Sequence, residues 1–376
     1  MKVAIVGDLH LGVTNKKSPI GNAVVKGQHA FIEHMIEEWK EMGVTHAVFL
    51  GDVFDNERFI ATDVMDYALR LFRDKMAGFN VYVLAGNHDM RYTNTSEVCS
   101  VSFLGLIPHV KVYDSKVGVE HFFGREWFFV PWVLPDNMDS VNKWLIKLAR
   151  SGVENRIILG HFDIIGAAMG AGNVSKNGFD SNRLLNAASY TFSGHYHVNS
   201  QIDGEDGTSI IYAGTPYHLT FSHVGVTPGY YIVDDEGCAD DGPLNYSFIK
   251  NSISPRFIDV KDVDVDSQPA DLSNCVVRFF SDKSVSMDKY AEVKAKLVER
   301  NPIYIDQYYY GDDGTIMSED GEKIDEEEAK RILSADSLGM ASMYMDKHPE
   351  ILPELCNPET DAKAKIIEML REYDAK

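Results

Sequence analysis

Short apolar runs alternate with stretches of helical period through the first half of the chain. Val3 to Val6 reads as a strand, Thr45 to Leu50 as the next and Val81 to Leu84 as a third. Between the first two, Gln28 to Met42 places Phe31, Met35, Trp39 and Met42 on one face at steps of four, four and three, with Gly43 positioned to end the helix. Val64, Ala68, Leu71, Phe72 and Met76 form a second helical face. The alternation continues through the strand Trp127 to Val130, a helix near Asp139 to Ala149 and the strand Arg156 to Leu159. This order predicts a layered α/β domain.

From Tyr190 the pattern changes to closely spaced strands, Tyr190 to Ser193, Ser209 to Ala213, Tyr230 to Val233 and Tyr246 to Lys250, with Gly and Asp between them. An antiparallel arrangement is expected there. A break at Ser252 to Pro255 precedes a smaller unit: strands Phe257 to Val260 and Val276 to Phe280, helix Met287 to Arg300 and strand Ile303 to Tyr309. From Asp312 to Asp336 ten acidic side chains stand against three basic ones, and helical patterns run at Ala329 to Leu338 and Ala362 to Tyr373. The chain has no internal repeat and no G-x-x-x-x-G-K-[ST] phosphate loop, so ATP hydrolysis by this chain is not expected.

Composition sharpens this picture at three points. With 376 residues, 44% hydrophobic and 25% charged, the chain can bury a large core and fold into two or three domains. No run of 18 apolar residues occurs, and the opening MKVAIVGDLH interrupts any signal sequence, which predicts a soluble, unsecreted, cytoplasmic protein with no membrane partner. Cys99, Cys238, Cys275 and Cys356 lack C-x-x-C spacing and form neither a zinc ribbon nor a disulfide framework. Thirty-six Lys and Arg against 57 Asp and Glu give a net charge of −21, which excludes gripping a polyanion with the whole surface. Any nucleic-acid contact must be local or supplied by a partner.

Five short motifs sit where apolar strands end: Asp8-Leu9-His10, Gly51-Asp52-Val53-Phe54-Asp55, Gly86-Asn87-His88-Asp89, Gly160-His161 and Gly194-His195-Tyr196-His197. Ligand sites gather at the carboxyl ends of strands in open α/β sheets. Carboxylate, imidazole and one amide oxygen, with no thiolate, suit Mn²⁺, Fe²⁺ or Zn²⁺. Seven candidate ligands, Asp8, His10, Asp52, Asn87, His161, His195 and His197, are too many for one ion that keeps an open position. Two ions sharing a bridging carboxylate leave room for water.

In this order the motifs D-x-H, G-D-x-x-D, G-N-H-D, G-H and G-H-x-H resemble the calcineurin-like metallophosphoesterase family, over Asp8 to His197. The resemblance implies an α/β fold: a two-sheet metallophosphoesterase sandwich flanked by helices. It implies that Asp8, His10, Asp52 and His197 hold one metal and Asp52, Asn87, His161 and His195 the other, with Asp52 bridging. His88 would act as the acid at the leaving oxygen, and Asp89 would orient its imidazole. The two divalent ions would be Mn²⁺ first, with Mg²⁺, Fe²⁺ and Zn²⁺ as alternatives.

Within that family, Gly194-His195-Tyr196-His197 and Ile210-Ile211-Tyr212-Ala213-Gly214-Thr215-Pro216 are similar to segments of the SbcD-like nuclease subunits of bacterial and phage double-strand-break repair complexes, with Thr215 where Ser is usual. Asp8-Leu9-His10-Leu11-Gly12 fits the same branch, and Arg91-Tyr92-Thr93-Asn94-Thr95 is similar to its phage recombination endonuclease form. Some members carry a second His where this chain has Asp55; here Asp55 would orient a ligand or cap the following turn. The resemblance divides the chain into a nuclease domain at 1–252, a small α+β capping domain at 253–311, and an acidic linker with C-terminal helices at 312–376 that dock an SMC-like (SbcC-like) ATPase. The helices Val64 to Met76 and Thr95 to Leu106 lie where the family builds a homodimer bundle, the alternative being that they pack on their own chain. The Gly-rich loop Asp163 to Asp180 would adapt around a nucleic-acid strand, or is merely mobile. The expected activity is a Mn²⁺-dependent DNA exonuclease and endonuclease in the cytoplasm, that of the bacterial host if phage-encoded. The alternatives are a small-molecule or nucleotide phosphodiesterase or phosphatase of the same fold, and a non-catalytic scaffold, which would usually have lost ligands.

Overall fold

The computed structural model of the chain describes residues 1–13, 19–152, 155–170, 173–205, 207–234, 242–282, 285, 287–310, 316–318 and 323–324. The chain forms two compact units, one of Met1–Leu219 with Gly225–Pro255, the other of Thr220–Val224 with the residues from Arg256 on.

Two six-stranded sheets build the first unit. In one, Lys2–Val6, His46–Phe49, Asn80–Leu84 and Val110–Tyr113 run parallel in that order, and Gly229–Asp234 and Asn245–Lys250 add antiparallel strands on the other side of Lys2–Val6. In the second, Tyr190–Gly194 lies between Ile157–His161 and Ser209–Tyr212 and is parallel to both. Arg125–Val130 continues beside Ile157–His161, and Gly118–Phe122 and Ser200–Asp203 close the edges antiparallel. Val3, Ile5, Val48, Leu50, Leu84, Trp127, Phe129, Ile157, Leu159, Phe192 and Val233 share one buried cluster that joins the two sheets. The central strands Lys2–Val6, His46–Phe49, Asn80–Leu84 and Ile157–His161 are nearly continuous apolar runs because they are buried on both faces, whereas the edge strands Asn245–Lys250, Gly118–Phe122 and Ser200–Asp203 alternate with exposed polar positions. Helix Pro19–Met42 covers the first sheet through Trp39, whose ring meets Phe49, Phe79 and Tyr230. Helix Met138–Arg150 covers the second through Val141, Leu145 and Leu148. The layered α/β domain expected from the alternation is therefore observed, in the form of the two-sheet sandwich that the family resemblance implies.

Three local expectations are corrected. Tyr190–Gly194 and Ser209–Tyr212 are parallel, because Ser200–Asp203 intervenes and supplies the antiparallel turn at the sheet edge. The helix over Gln28 to Met42 begins at Pro19, since Val24 and Val25 extend the buried stripe. Thr95 to Leu106 is not a helix: Met90 bridges Cys99, and only Ser102–Leu106 forms a short 3₁₀ turn. The β-branched Val98 and Val101 and the glycine at 105 work against helix there.

In the second unit, Arg256–Lys261, Cys275–Asp282 and Tyr304–Tyr310 form a parallel sheet extended antiparallel by Ile316–Ser318 and Lys323–Ile324. Helix Met287–Glu299 packs on it through Tyr290, Val293 and Leu297, against Val260, Val277 and Phe279. The helices expected at Ala329 to Leu338 and Ala362 to Tyr373 lie outside the described residues.

Candidate metal centre

The five motifs converge at the carboxyl ends of the strands in the first unit. Asp8 and His10 follow Lys2–Val6, Asp52 and Asp55 follow His46–Phe49, and Asn87 and His88 follow Asn80–Leu84. His161 ends Ile157–His161, and His195 and His197 follow Tyr190–Gly194. His10, Asp52 and His195 take positive φ angles of 45°, 48° and 89°. Such angles in non-glycine residues cost free energy that the surrounding packing must offset, and they cluster at functional sites. The motif glycines have a steric reason as well. A Cβ on Gly86 would overlap Asp52, and one on Gly194 would overlap Asp8 Oδ1.

Two donor groups result. In the first, His10 Nε2 lies 3.0 Å from His197 Nε2, and His197 Nε2 lies 3.8 Å from Asp8 Oδ2. In the second, Asn87 Oδ1 lies 2.9 Å from His161 Nε2 and 3.0 Å from His195 Nδ1. Asp52 Oδ2 stands between the two groups, 3.8 Å from His10 Nε2 and 3.4 Å from His161 Nε2. All seven expected ligand residues are thus brought together. Ligand atoms of Asp8, His10 and His197 lie within 4.8 Å of one another, as do those of Asp8, Asp52 and His161. The donor set suits a divalent cation. Cis donors of an octahedral ion with bonds of about 2.1 Å stand about 3.0 Å apart. Two imidazole nitrogens facing each other at that separation need a proton or a cation between them.

Backbone groups and carboxylates hold the donors in place. His161 Nδ1 donates to the Leu50 carbonyl at 2.8 Å, which leaves Nε2 facing the centre. Asp8 accepts from the backbone N–H of His195, 2.9 Å from Oδ2. Asp55 Oδ1 lies 3.2 Å from His10 Nδ1, within ion-pair reach though outside hydrogen-bond geometry, so it faces a candidate ligand rather than the following turn. The following turn is capped instead by Asn56 Oδ1, which accepts from the N–H of Arg58 and Phe59. His88 Nδ1 donates to the Asp55 carbonyl at 2.7 Å. Asp89 does not orient that imidazole as expected. Its buried carboxylate accepts from the N–H groups of Gly86, Val53 and Phe54, and so locks the G-N-H-D turn to the strand end beside it.

The electrostatics favour positive charge among these carboxylates. Burial pushes Asp8 up to about 6, against the pull of His161. Burial would also raise Asp52, but His161, His88 and His10 outweigh it and hold that carboxyl well below the usual range. Burial opposes the charge on His10, yet Asp55, Asp52 and Asp8 push it up to about 9. His161, opposed in the same way, is pushed to about 9 by Asp52 and Asp8. His195 is driven down to about 3 by burial and by His161. Burial and the Asp52 charge raise Asp89 to about 6.

Two neighbours were not singled out from the sequence. Tyr217 donates from its hydroxyl to the Leu9 carbonyl at 2.6 Å, inside the D-x-H turn. Trp132 packs against His195 at 5.0 Å and His161 at 5.7 Å between ring centroids. Its only sequence signal is its place just past the strand Arg125–Val130.

Residues 1–199 match the family described as calcineurin-like phosphoesterase, and the chain belongs to that family. It is 28% identical over 238 residues to exonuclease subunit 1 of Enterobacteria phage T4; the match covers 63% of this chain and 65% of that protein, so the chain spans somewhat less than two thirds of that relative's length. Among solved structures it is similar to a dimetal phosphatase from Danio rerio, at 11% identity over 62% of this chain and 92% of that one, TM-score 0.43. It is also similar to a purple acid phosphatase from seeds of yellow lupin, Lupinus luteus, at 12% identity over 66% of this chain and 51% of that one, TM-score 0.43. Among the described residues no helix is long and apolar enough to cross a membrane.

Proposed function

We propose that the protein is a metal-dependent DNA nuclease, an SbcD-like subunit of a repair or recombination complex that hydrolyses phosphodiester bonds. The observation that carries this reading is the single oxygen Asp52 Oδ2, set between two imidazole-containing donor groups. Asp8, His10, Asp52 and His197 would hold one divalent ion and Asp52, Asn87, His161 and His195 the other. Bound there, two ions, Mn²⁺ in this reading, would lower the pKa of a water and neutralise charge on the phosphoryl oxygens.

The remaining chemistry falls to the chain itself. His88 is fixed through Nδ1 to the Asp55 carbonyl, which leaves Nε2 as the ring position able to hand a proton to the leaving oxygen. Asp55 aligns His10, Leu50 aligns His161, and Asp89 keeps the turn carrying Asn87 and His88 in register. The T4 relative's being an exonuclease subunit supports DNA as substrate and a partner subunit, which we take to be an SMC-like ATPase docked on the residues after 312. We take the division into 1–252, 253–311 and 312–376 as the functional one, the active form as a homodimer, and the compartment as the cytoplasm. The net charge of −21 favours a second reading, a phosphodiesterase acting on small phosphoesters.

The readings separate when wild-type protein and a His88→Ala variant are incubated with Mn²⁺, end-labelled linear duplex DNA and a small chromogenic phosphodiester. The nuclease reading expects the wild type to degrade the DNA and the variant to lose about 10²- to 10⁴-fold in rate. Efficient turnover of the small ester with DNA left intact, even after a candidate ATPase is added, would establish the second.

A further inference from the structure

Pro131 and Trp132 follow the strand Arg125–Val130, and the backbone N–H of Trp132 donates to the Ala85 carbonyl at 2.8 Å. That bond ties position 132 to the residue just before the G-N-H-D turn. The neighbours Pro131, Val133 and Leu134 are buried, whereas Trp132 is only half-buried. Its indole lies 5.0 Å from the His195 ring with the planes tilted by 34°, and 5.7 Å from the His161 ring, edge to face. Those two imidazoles converge on Asn87 Oδ1.

The other tryptophans serve packing. Trp39 and Trp127 are fully buried, and Trp144 packs against Phe128 over the second sheet. Trp132 differs in placing a large apolar ring, partly open to solvent, at the edge of a centre made of carboxylates and imidazoles. A partly exposed indole beside a polar centre gains most from a flat aromatic partner. A phosphodiester held by the donor groups carries such a partner one nucleoside away. Stacking of bases on aromatic side chains is tolerant of sequence, because every base offers a π-face. In an intact duplex those faces are covered by the neighbouring base pairs, so the indole can reach only a base that has left the stack.

We propose that Trp132 is the stacking platform for the nucleobase next to the scissile phosphodiester, which makes unpaired nucleotides, in single strands and frayed ends, the preferred substrate class. The inference rests on the nuclease reading and specifies its substrate. Trp132 binds and positions the nucleotide; bond cleavage stays with the centre beside it.

The test uses a labelled single-stranded oligonucleotide and its counterpart with one abasic position, cleaved in Mn²⁺ by the full chain as wild type, Trp132→Ala and Trp132→Phe. For wild type, cleavage at the phosphodiesters flanking the abasic position should fall about tenfold or more. Trp132→Ala should lose a similar factor on the intact oligonucleotide, mainly through a raised KM, and removing the base should then cost it less than about twofold. Trp132→Phe should keep the base dependence and most of the rate. A Trp132→Ala variant that still pays the full abasic penalty, or a wild type that pays none, overturns the inference while leaving the nuclease reading intact. A wild type that cleaves small phosphodiesters but neither oligonucleotide removes the nuclease reading and this inference with it.

Discussion

At position 55 one residue serves two imidazoles: its carboxylate lies 3.2 Å from His10 Nδ1, and its carbonyl accepts from His88 Nδ1. Only the first link depends on the side chain. Asp55→Ala should therefore leave His88 in place and loosen His10, weakening Mn²⁺ binding about 10- to 100-fold, the usual effect of removing a carboxylate that orients a metal-binding histidine. Equilibrium dialysis with Mn²⁺ reads this directly, and an unchanged affinity would show that Asp55 does not align His10. His10 and His161 together give a pH signature. In metal-free protein His10 and His161 are pushed from 6.5 to about 9 by the surrounding carboxylates. A raised folded-state pKa contributes stability that is fully present below the unfolded value and is lost as pH rises through the folded one. The melting temperature in excess chelator should accordingly fall between pH 6.5 and 9, and a flat or rising profile across that window would contradict the assignment. The residues that converge on the centre were legible in the sequence because metal chemistry restricts the types of a candidate ligand set and the strand ends restrict its places. Trp132 was not, because an indole belongs to no ligand set and its role depends on what packs beside it.

At the scale of elements, the strand that ends at His161 runs on into a hairpin whose base is tied to the histidine motif. Tyr196, between His195 and His197, donates its hydroxyl to Asp163, and Ser175 Oγ donates to the same carboxylate oxygen at 3.1 Å. Phe179 N–H pairs with the Asp163 carbonyl at 2.8 Å, and Gly178 beside it sits at φ +103° where, in addition, a side chain would strike Asp163. A hydrogen bond to a charged group contributes about 1.5–3 kcal/mol. Tyr196→Phe should then speed amide exchange of the described hairpin residues, 163–170 and 173–180, about tenfold or more, while the strand Ile157–His161 stays protected. Equal protection in both proteins would mean that the hairpin is held by its own backbone alone. The sequence indicated this segment only as a Gly-rich loop, since the Tyr196–Asp163 link spans 33 residues and follows no local rule. The parallel pairing of Tyr190–Gly194 with Ser209–Tyr212 was hidden for a similar reason. Strand spacing reveals that strands exist, whereas their neighbours depend on which edge the intervening chain takes.

Over the whole molecule, a net charge of −21 is combined with a centre whose own carboxylates draw in cations. In the proposed nuclease the acidic surface would limit contact with a polyanion to the neighbourhood of the site, where divalent ions, once bound, would offset Asp8 and Asp52. The central strands of the two-sheet core were readable from the apolar runs because burial on both faces keeps them nearly free of polar positions. The break in pattern at Ser252 to Pro255 falls where the second unit begins in sequence, whereas no local pattern marks Thr220–Val224, which also belong to that unit. The proposed chemistry requires two ion sites joined through Asp52. The direct measurement is the number of Mn²⁺ ions bound per chain by wild type and by Asp52→Asn, counted at saturation and with circular dichroism confirming that both are folded. Two ions on the wild type, with both affinities weakened in the variant, are predicted; a single ion on the wild type, or two whose binding ignores the Asp52 substitution, would contradict it.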